Sequence, residues 1–242
     1  MSALIEIAVF SPKDALVAQE NGAHRIELCA AMSEGGITPS HGSIVYVREK
    51  LRIPVFVMIR PRGGAFVYST EELEIMERDI EFCRDAGVDG IVFGILTNEG
   101  EVDTFNCRRL VKKAGVMAST FHRAFDVAKD PLSSLEKIID CGFHRILTSG
   151  QKQLAPEGAD LIASLVEQAG SRIIIIPGSG VEESNLKVLH QLCGAKEYHS
   201  SAKVRDEEKT MKVNMSSISS TLTKWKVSPE KVKEMRRIAD EL

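Results

Sequence analysis

The stretch Thr120-Phe121-His122-Arg123-Ala124-Phe125-Asp126 follows an apolar run that begins at Val116, and it precedes a helix that opens at Asp130-Pro131. The pattern predicts a strand that ends on His122 and a short loop that carries Arg123 and Asp126. An imidazole, a guanidinium and a carboxylate this close together are expensive to bury in an apolar core. They suit a pocket for a polar or anionic ligand.

A second stretch, Val57-Met58-Ile59-Arg60-Pro61-Arg62-Gly63-Gly64, also delivers charge at the end of an apolar strand. Outward from these stretches, strands and helices alternate along the chain. The predicted strands are Leu4–Val9, His24–Cys29, Val55–Arg60, Gly90–Gly94, Val116–His122, Arg145–Ser149, Arg172–Ile176 and Glu197–Ser201. The predicted helices are Lys13–Glu20, one that starts at Thr38-Pro39, one after the capping box Ser69-Thr70-Glu71-Glu72, Asp103–Lys113, Pro131–Cys141, Pro156–Gln168, Glu182–Leu192 and one that begins at Ser228-Pro229.

Eight strands that alternate with eight helices indicate an α/β protein, a single (β/α)8 TIM barrel that spans residues 1–242. A less regular segment at about 203–227 precedes the last helix. A doubly wound open sheet is the alternative, but it would bring a Gly-rich turn after strand one, where Phe10-Ser11-Pro12 stands. The segment 22–28 (GAHRIEL) resembles 142–148 (GFHRILT), which indicates either a duplicated half-barrel or a chance similarity between two helix-to-strand turns.

The bulk properties exclude several classes of protein. The net charge of −3, without a basic stripe, argues against nucleic acid as a partner. No apolar run approaches the roughly 20 residues that span a bilayer, and the N-terminus enters a strand almost at once, so neither a membrane span nor a signal peptide is expected. Five scattered cysteines without a Cys-x-x-Cys pair indicate free thiols and a cytoplasmic location.

Alternation along each strand predicts which side chains face the lumen of the barrel. The apolar set must meet the helices, so the polar set points inward. The predicted lumen residues are Glu6, Arg25, Glu27, Arg60 and His122, with Arg62, Arg123 and Asp126 at the rim. One interpretation is an internal salt-bridge network, in which Arg25 and Arg60 neutralise Glu6 and Glu27. The other is a functional pocket, because active sites of this fold collect at the C-terminal ends of the strands.

Other strand ends supply further candidates. Ser149 and Ser179 lie in glycine-containing turns whose backbone N–H groups could cradle a phosphate, or which are turns only. His199 could add a second imidazole to the mouth of the barrel. No lysine sits clearly at a strand end, which weighs against a Schiff-base mechanism. Cys29 could bind Cu(I) as a thiolate or serve as a small hydrophobe, and Met211 and Met215 are weaker candidates for soft-metal binding.

Six segments, collinear along the chain, carry a resemblance to a known family: Arg25–Cys29, Ser33–Ser40, Met58–Gly64, Thr120–Asp126, Arg145–Gly150 and His199–Ala202. They resemble the CutC family, known as copper homeostasis proteins. The resemblance covers about Ile5 to Ala202. It implies a TIM barrel, a cytoplasmic homo-oligomer and a link to Cu(I) binding, while no reaction is firmly assigned to the family.

The first strand departs from the family's pattern. That strand usually reads Glu-Val-Cys-Val-Asp-Ser, and here it reads Glu6-Ile7-Ala8-Val9-Phe10-Ser11. Ala8 stands where the resemblance implies a cysteine, so only Cys29 remains of a thiolate pair from strands one and two. The segment Pro177-Gly178-Ser179-Gly180 also departs, because a third glycine is common there.

Two functions follow as hypotheses. The first is that the chain binds Cu(I) as a cytoplasmic copper homeostasis protein without turnover. The alternative is a TIM-barrel enzyme that acts on a small anionic metabolite, a carboxylate or a phosphate. In that case Arg60 and Arg62 would bind the anion, and Glu27 or His122 would act as general base or acid. Asp126 would orient His122 or hold a hard divalent cation.

Overall fold

The computed structural model of the chain describes residues 2–206 and 225–242. Eight parallel strands surround a common axis. They are β1 (Leu4–Val9), β2 (Arg25–Leu28), β3 (Val55–Met58), β4 (Gly90–Phe93), β5 (Ala118–Phe121), β6 (Arg145–Thr148), β7 (Ile174–Pro177) and β8 (Glu197–Ser200). Their ladder runs in the order β7-β6-β5-β4-β3-β2-β1-β8, and β7 lies beside β8. The predicted (β/α)8 TIM barrel is confirmed.

Eight helices of the described residues pack on the outside of this nearly closed ring. They are α1 (Pro12–Glu20), α2 (His41–Lys50), α3 (Thr70–Asp85), α4 (Thr104–Ala114), α5 (Pro131–Asp140), α6 (Ala159–Ala169), α7 (Leu186–Cys193) and α8 (Pro229–Asp240). Within the two described ranges, no helix is long and apolar enough to cross a membrane.

Strand β1 shows how the sequence separates the two faces of the barrel wall. Ile5, Ile7 and Val9 point outward and are fully buried beneath the helices. Glu6 and Ala8 face the lumen, where the parallel register pairs Glu6 with Arg25 and Ala8 with Glu27 on β2. A parallel barrel buries both faces of each strand, so the polar residues on the inner face lie in a nearly water-free space.

Local signals placed most helix starts correctly. Ser69 and Glu72 form the predicted capping box at α3, and Ser228 caps α8 with Pro229 at its first position. The predicted start of α2 at Thr38-Pro39 is wrong, because Ser40 caps that helix. Thr38 instead exchanges hydrogen bonds with the backbone of Arg60: its N–H donates to the Arg60 carbonyl, and its Oγ1 accepts from the Arg60 N–H, both at 2.9 Å.

Two other predicted starts, at Pro156 and Glu182, are also wrong. A 3-10 turn, Ala155–Gly158, precedes α6. Helix α7 starts only at Leu186, because the side chain of Asn185 accepts the N–H of Glu182 and donates to the carbonyl of Gly180. Both connections are therefore held as turns at the mouth of the barrel.

The segment predicted to be irregular, at about 203–227, forms two short strands in its described parts. β9 (Lys203–Arg205) and β10 (Trp225–Val227) pair as a short antiparallel ribbon. Residues 207–224, which contain Met211 and Met215, lie outside the described residues.

The sequence repeat has a counterpart in structure. Nδ1 of His24 accepts the backbone N–H of Ile5, and Nδ1 of His144 accepts the backbone N–H of Ser119, both at 3.1 Å. Each imidazole therefore ties the start of one strand to the turn before the next strand. This supports reading the two segments as equivalent units of two half-barrels.

Candidate functional site

A cavity of about 340 Å³ opens at the C-terminal ends of the strands, in the lumen of the barrel. Its volume lies at the lower end of the range for small-molecule sites, roughly 300–1,000 Å³. Its wall brings together many of the predicted site residues: Glu27, Cys29, Arg60, His122, Arg123, Asp126 and His199. They come from β2 and β8 and from the segments that follow β2, β3 and β5, so the strand ends place them together.

Arg60 is a buried cation, only 5% exposed. Its Nη1 donates to the carbonyls of Glu34 (2.6 Å) and Gly36 (2.9 Å), and its Nη2 donates to the carbonyl of Gly64 (2.8 Å). Among the described residues, its Nε has no hydrogen-bond partner and no carboxylate forms an ion pair with it, while the Tyr68 hydroxyl interacts with the guanidinium. The guanidinium lies over the ring of Phe66, 4.9 Å from the centroid, which adds a cation–π contact.

His122 follows β5 and is buried against the same aromatic ring. Its Nδ1 accepts the backbone N–H of Ala124 at 3.2 Å, which leaves the proton of the neutral ring on Nε2. Nε2 has no hydrogen-bond partner among the described residues. Gly94 makes room for this ring, because a Cβ there would lie 2.7 Å from Nδ1. Burial and the nearby Arg60 lower the pKa of His122 to about 3, so the imidazole is neutral at physiological pH.

Glu27 lies on β2 and is 3% exposed. One of its carboxylate oxygens, Oε1, forms no hydrogen bond of normal geometry among the described residues, and the other lies 3.7 Å from Nε2 of His199. The Cys29 thiol interacts with the same carboxylate. Burial raises the pKa of Glu27 to about 7, although the positive charge on His199 opposes that shift. A carboxyl group with this pKa exchanges protons readily near neutral pH.

Beneath the cavity lies a fully paired ionic network. Arg25 bonds to Glu6, and its Nη2 donates to Glu197 at 2.7 Å. Nε of Arg145 donates to the same carboxylate at 3.1 Å. Nδ1 of His199 lies 2.7 Å from Oε1 of Glu6. Burial alone would raise the pKa of Glu6, but Arg25 and His199 outweigh it and lower that pKa to about 2.

The predicted salt-bridge network is therefore right for one pair of residues and wrong for the other. Glu6 pairs with Arg25, as the sequence indicates. Arg60 does not neutralise Glu27, because backbone carbonyls of two loops take up its Nη donors.

At the rim, Arg123 and Asp126 form an ion pair. Nε of Arg123 donates to Asp126 at 2.7 Å, and its Nη2 donates to Oγ of Ser149 at 3.0 Å. Asp126 also accepts from the Thr148 hydroxyl at 2.5 Å and from the N–H and hydroxyl of Ser149. Its oxygens are thus occupied, and it does not bond to either ring nitrogen of His122.

Two further predicted residues lie away from this cavity. Nε of Arg62 donates to Glu72 at 2.5 Å, and its other nitrogens donate to loop carbonyls, so Arg62 braces the loop between β3 and α3. Ser179 lines an adjoining cavity of about 410 Å³, where its hydroxyl donates to the carbonyl of Gln153 at 2.9 Å. Arg123 and His199 line both cavities, so the two are lobes of one mouth.

Cys29 packs in a small apolar cluster with Phe56, Met58 and Val92. Burial and the adjacent Glu27 raise the pKa of its thiol well above the usual value, so the thiolate is disfavoured. Ala8 occupies the neighbouring lumen position on β1, beside Glu27. Within residues 2–206 and 225–242, no group of three or more His, Cys, Asp or Glu side chains is placed to hold a metal ion.

Sequence reasoning missed three residues that shape the site. Phe66 contacts both Arg60 and His122, while Arg145 and Glu197 complete the network below. Arg145 and Glu197 have a signal in the sequence, since each is a charged residue at the start of a predicted strand. Phe66 lies in an irregular loop, where no periodicity marks its direction.

The sequence profile of the CutC family matches residues 3–204. A family protein CutC of Chromobacterium violaceum is 47% identical over 203 residues, which cover 84% of this chain and 82% of that protein. The human copper homeostasis protein cutC homolog is 47% identical over 200 residues, 83% of this chain and 73% of that protein.

A solved structure gives the same result. The CutC protein of Streptococcus agalactiae, a copper homeostasis protein by name, superposes with a TM-score of 0.79 at 36% identity. The match covers 82% of this chain and 98% of that one. On this sequence and structural similarity, the chain belongs to the CutC family.

Proposed function

We propose that the chain is an enzyme that acts on a small anionic metabolite, with the lumen cavity as its active site. Three buried polar atoms around this cavity lack partners within the described residues: Nε of Arg60, Nε2 of His122 and Oε1 of Glu27. Buried polar groups of native proteins are almost always hydrogen-bonded. Three unpaired atoms in the wall of one cavity therefore point to a ligand that pairs them, and this observation carries the proposal.

The geometry of Arg60 favours an anion with two adjacent oxygens. A guanidinium has five N–H donors, and three of those of Arg60 go to the carbonyls of Glu34, Gly36 and Gly64. The remaining donors are Nε–H and the second Nη2–H. A guanidinium binds a carboxylate or phosphate bidentately through Nε–H and an adjacent Nη–H, and the Tyr68 hydroxyl lies near the same guanidinium.

The charge of the lumen also favours an anion. With every group ionised, its cations are Arg25, Arg60, Arg145 and His199, and its anions are Glu6, Glu27 and Glu197. Among these cations, Arg60 is the one whose guanidinium has no carboxylate partner within the described residues, because its Nη atoms donate to backbone carbonyls. A buried charge without a counterion is unfavourable, so an anionic ligand would stabilise the site.

The proposed roles follow from the protonation states. Neutral His122 offers Nε2–H as a hydrogen-bond donor. Glu27 acts as general acid or base, because its pKa of about 7 allows both protonation states at working pH. Arg123 supplies a second cationic contact at the rim, while Asp126 and Ser149 position it. Separated pKa values in one cavity are typical of acid–base sites.

Copper(I) binding is the alternative function, and it rests on the copper homeostasis names of the relatives. Cu(I) favours soft ligands such as thiolates. Cys29 is a protonated thiol in an apolar cluster, and Ala8 stands on the neighbouring strand. The described residues do not fit this ion, so no catalytic step is assigned to it.

Calorimetric titration with oxalate and with inorganic phosphate tests the proposed function. We expect the wild-type chain to bind at least one of them. Arg60→Lys should weaken that binding tenfold or more, since a lysine ammonium cannot reproduce the two-donor edge. The matched control is Arg172→Lys, the same change in an exposed ion pair with Glu136. Absence of binding by both anions, or equal binding by Arg60→Lys, would contradict the proposal.

Three predictions from the sequence remain proposals: a single domain over residues 1–242, a homo-oligomer and a cytoplasmic location. The five cysteines are all free, which supports a reducing compartment. Light scattering would measure the oligomeric state.

A further inference from the structure

We propose that the protein catalyses the transfer of a proton from and to a carbon atom in this cavity. The reaction is enolisation of a small carboxylate that carries a carbonyl group on the adjacent carbon, such as a 2-oxo acid. This inference rests on the proposed function and narrows it from acid–base chemistry in general to one reaction class. It follows from how Arg60, His122 and Glu27 are arranged, and from which reactive groups the cavity wall lacks.

The first argument is the fixed tautomer of His122. The backbone N–H of Ala124 occupies Nδ1, so the ring presents Nε2–H. A neutral N–H donor in a dry site stabilises the oxygen of a carbonyl group as it becomes an enolate oxygen. Triosephosphate isomerase pairs a neutral histidine with a glutamate base in this way, which is a general precedent for such chemistry.

The second argument is the placement of the three groups on different strands. Glu27 comes from β2, Arg60 from the end of β3 and His122 from the end of β5. Arg60 would hold the carboxylate between a base on one side and the N–H donor on the other. Enolisation requires a base and a hydrogen-bond donor at separate positions, because the proton leaves carbon while negative charge develops on oxygen.

The third argument is the absence of a nucleophile. Among the described residues that line this lobe of the mouth there is no lysine, serine or threonine, since the lysines and serines of the mouth line only the adjoining lobe. The one thiol, Cys29, is buried and held in its protonated form. The wall therefore lacks the groups for Schiff-base or acyl transfer chemistry, while it holds a base and a hydrogen-bond donor.

The step balances without a further reactant. The Glu27 carboxylate takes a proton from the carbon next to the carbonyl group. The C–H electron pair forms the carbon–carbon double bond, and the carbonyl π pair moves to oxygen, which accepts the hydrogen bond from His122. Glu27 then returns a proton to carbon. When the substrate has a second exchangeable centre, the same enolate leads to isomerisation or epimerisation.

Hydrogen exchange measured in D2O tests this inference. The wild-type chain would be incubated separately with pyruvate, 2-oxobutyrate and 2-oxoglutarate, and with dihydroxyacetone phosphate as the phosphate-bearing alternative. Nuclear magnetic resonance would follow deuterium at the carbon next to the carbonyl group. We expect exchange well above the buffer rate for at least one 2-oxo acid. Exchange restricted to dihydroxyacetone phosphate would overturn the choice of a carboxylate.

Variants assign the base. Glu27→Gln is nearly isosteric and should lower the exchange rate roughly 100-fold or more, the usual contribution of a general base. Glu136→Gln makes the same chemical change on the outer surface and should leave the rate unchanged. Undiminished exchange by Glu27→Gln would overturn the assignment. Should Glu27→Gln fail to fold, His122→Gln should show the same loss.

Oxalate binding separates this inference from the proposed function. Oxalate that binds in an Arg60-dependent way, without exchange of any compound, would overturn enolisation and leave the anion site standing. Failure of oxalate, phosphate and all four carbonyl compounds to bind would overturn both proposals.

Discussion

Buried charged groups are paired with one another in the lower lumen of the barrel, whereas those at its mouth are not. Below, Glu6, Arg25, Arg145 and Glu197 satisfy one another within a short distance. At the mouth, Arg60, His122 and Glu27 are also buried, yet each keeps one polar atom that has no hydrogen-bond partner among the described residues. The same alternation of side chains along the strands places both sets of residues in the lumen. The two regions therefore differ in the hydrogen-bond partners of these residues and not in the sequence pattern.

This difference separates a structural role from a functional one. A closed network offers little to a ligand, because its opposite charges are already paired with one another. An open set of donors and acceptors costs stability until something pairs it, and active sites commonly carry such a cost. We therefore expect changes below the cavity to affect folding and changes at the mouth to affect binding.

The largest effect is expected from Arg25→Gln. Glu6 and Glu197 would keep only their second partners, His199 and Arg145. Removing one member of a buried ion-pair network costs about 3–5 kcal/mol, because uncompensated charge stays in the interior. Chemical denaturation followed by circular dichroism would measure the loss in the free energy of unfolding.

The control for that measurement is Arg237→Gln. Arg237 pairs with Glu234 and Glu241 on the outer face of α8, where water solvates the charges. Its denaturation midpoint should match that of the wild type. A stability loss for Arg25→Gln no larger than that of the control would mean that the lower network is not structural, and the contrast between the two regions would fail.

A pH series gives the next largest effect and concerns the mouth. His122 has a folded pKa of about 3 against 6.5 for the free side chain, because burial and Arg60 disfavour the imidazolium. The unfolded chain thus binds the proton more tightly, and the stability contributed by neutral His122 is present above pH 6.5 and lost as the pH falls. Between pH 7 and pH 4 the free energy of unfolding should decrease by about 3 kcal/mol from this group.

The variant His122→Asn isolates that contribution. His24 and His144 also have lowered pKa values through partial burial, so they add to the acid sensitivity of both proteins. Glu27 and His199 have raised pKa values, so they add stability as the pH falls and oppose the loss in both proteins. Glu6 begins to contribute only below its ordinary pKa of 4.5. The wild type should lose more stability than the variant over the same range, and equal pH profiles would show that His122 is not held neutral.

Much of this arrangement could be predicted from the sequence, because a barrel strand has only two faces. Once Ile5, Ile7 and Val9 are assigned to the strand face that packs against the helices, Glu6 must face the lumen. The same rule places Glu27 there. Apolar strands followed by charged residues locate the mouth. The strand order then follows from right-handed connections between parallel neighbours.

The hydrogen-bond partners were harder to predict, because they depend on the conformation of the loops. Arg60 donates to Glu34 and Gly36 from the preceding loop, which depends on backbone conformation that residue types do not determine. Arg62 lies two residues further along the same motif, but its Nε donates a hydrogen bond to Glu72. The misplaced start of α2 has the same origin, since the contact of Thr38 with Arg60 joins two distant segments.

The smallest effect is expected from Cys29→Ser, and it sharpens the comparison by testing whether the mouth binds a soft metal. Anaerobic competition with a chromogenic Cu(I) chelator should give the same result for wild type and variant, because Cys29 is protonated and packed among apolar side chains. Stability should fall by about 1 kcal/mol as a hydroxyl replaces the thiol. Cys83→Ser, in α3 and also buried, is the matched control. Tight Cu(I) binding by wild type and by Cys83→Ser, lost only in Cys29→Ser, would make the mouth a metal site and would require a different explanation for its unpaired donors.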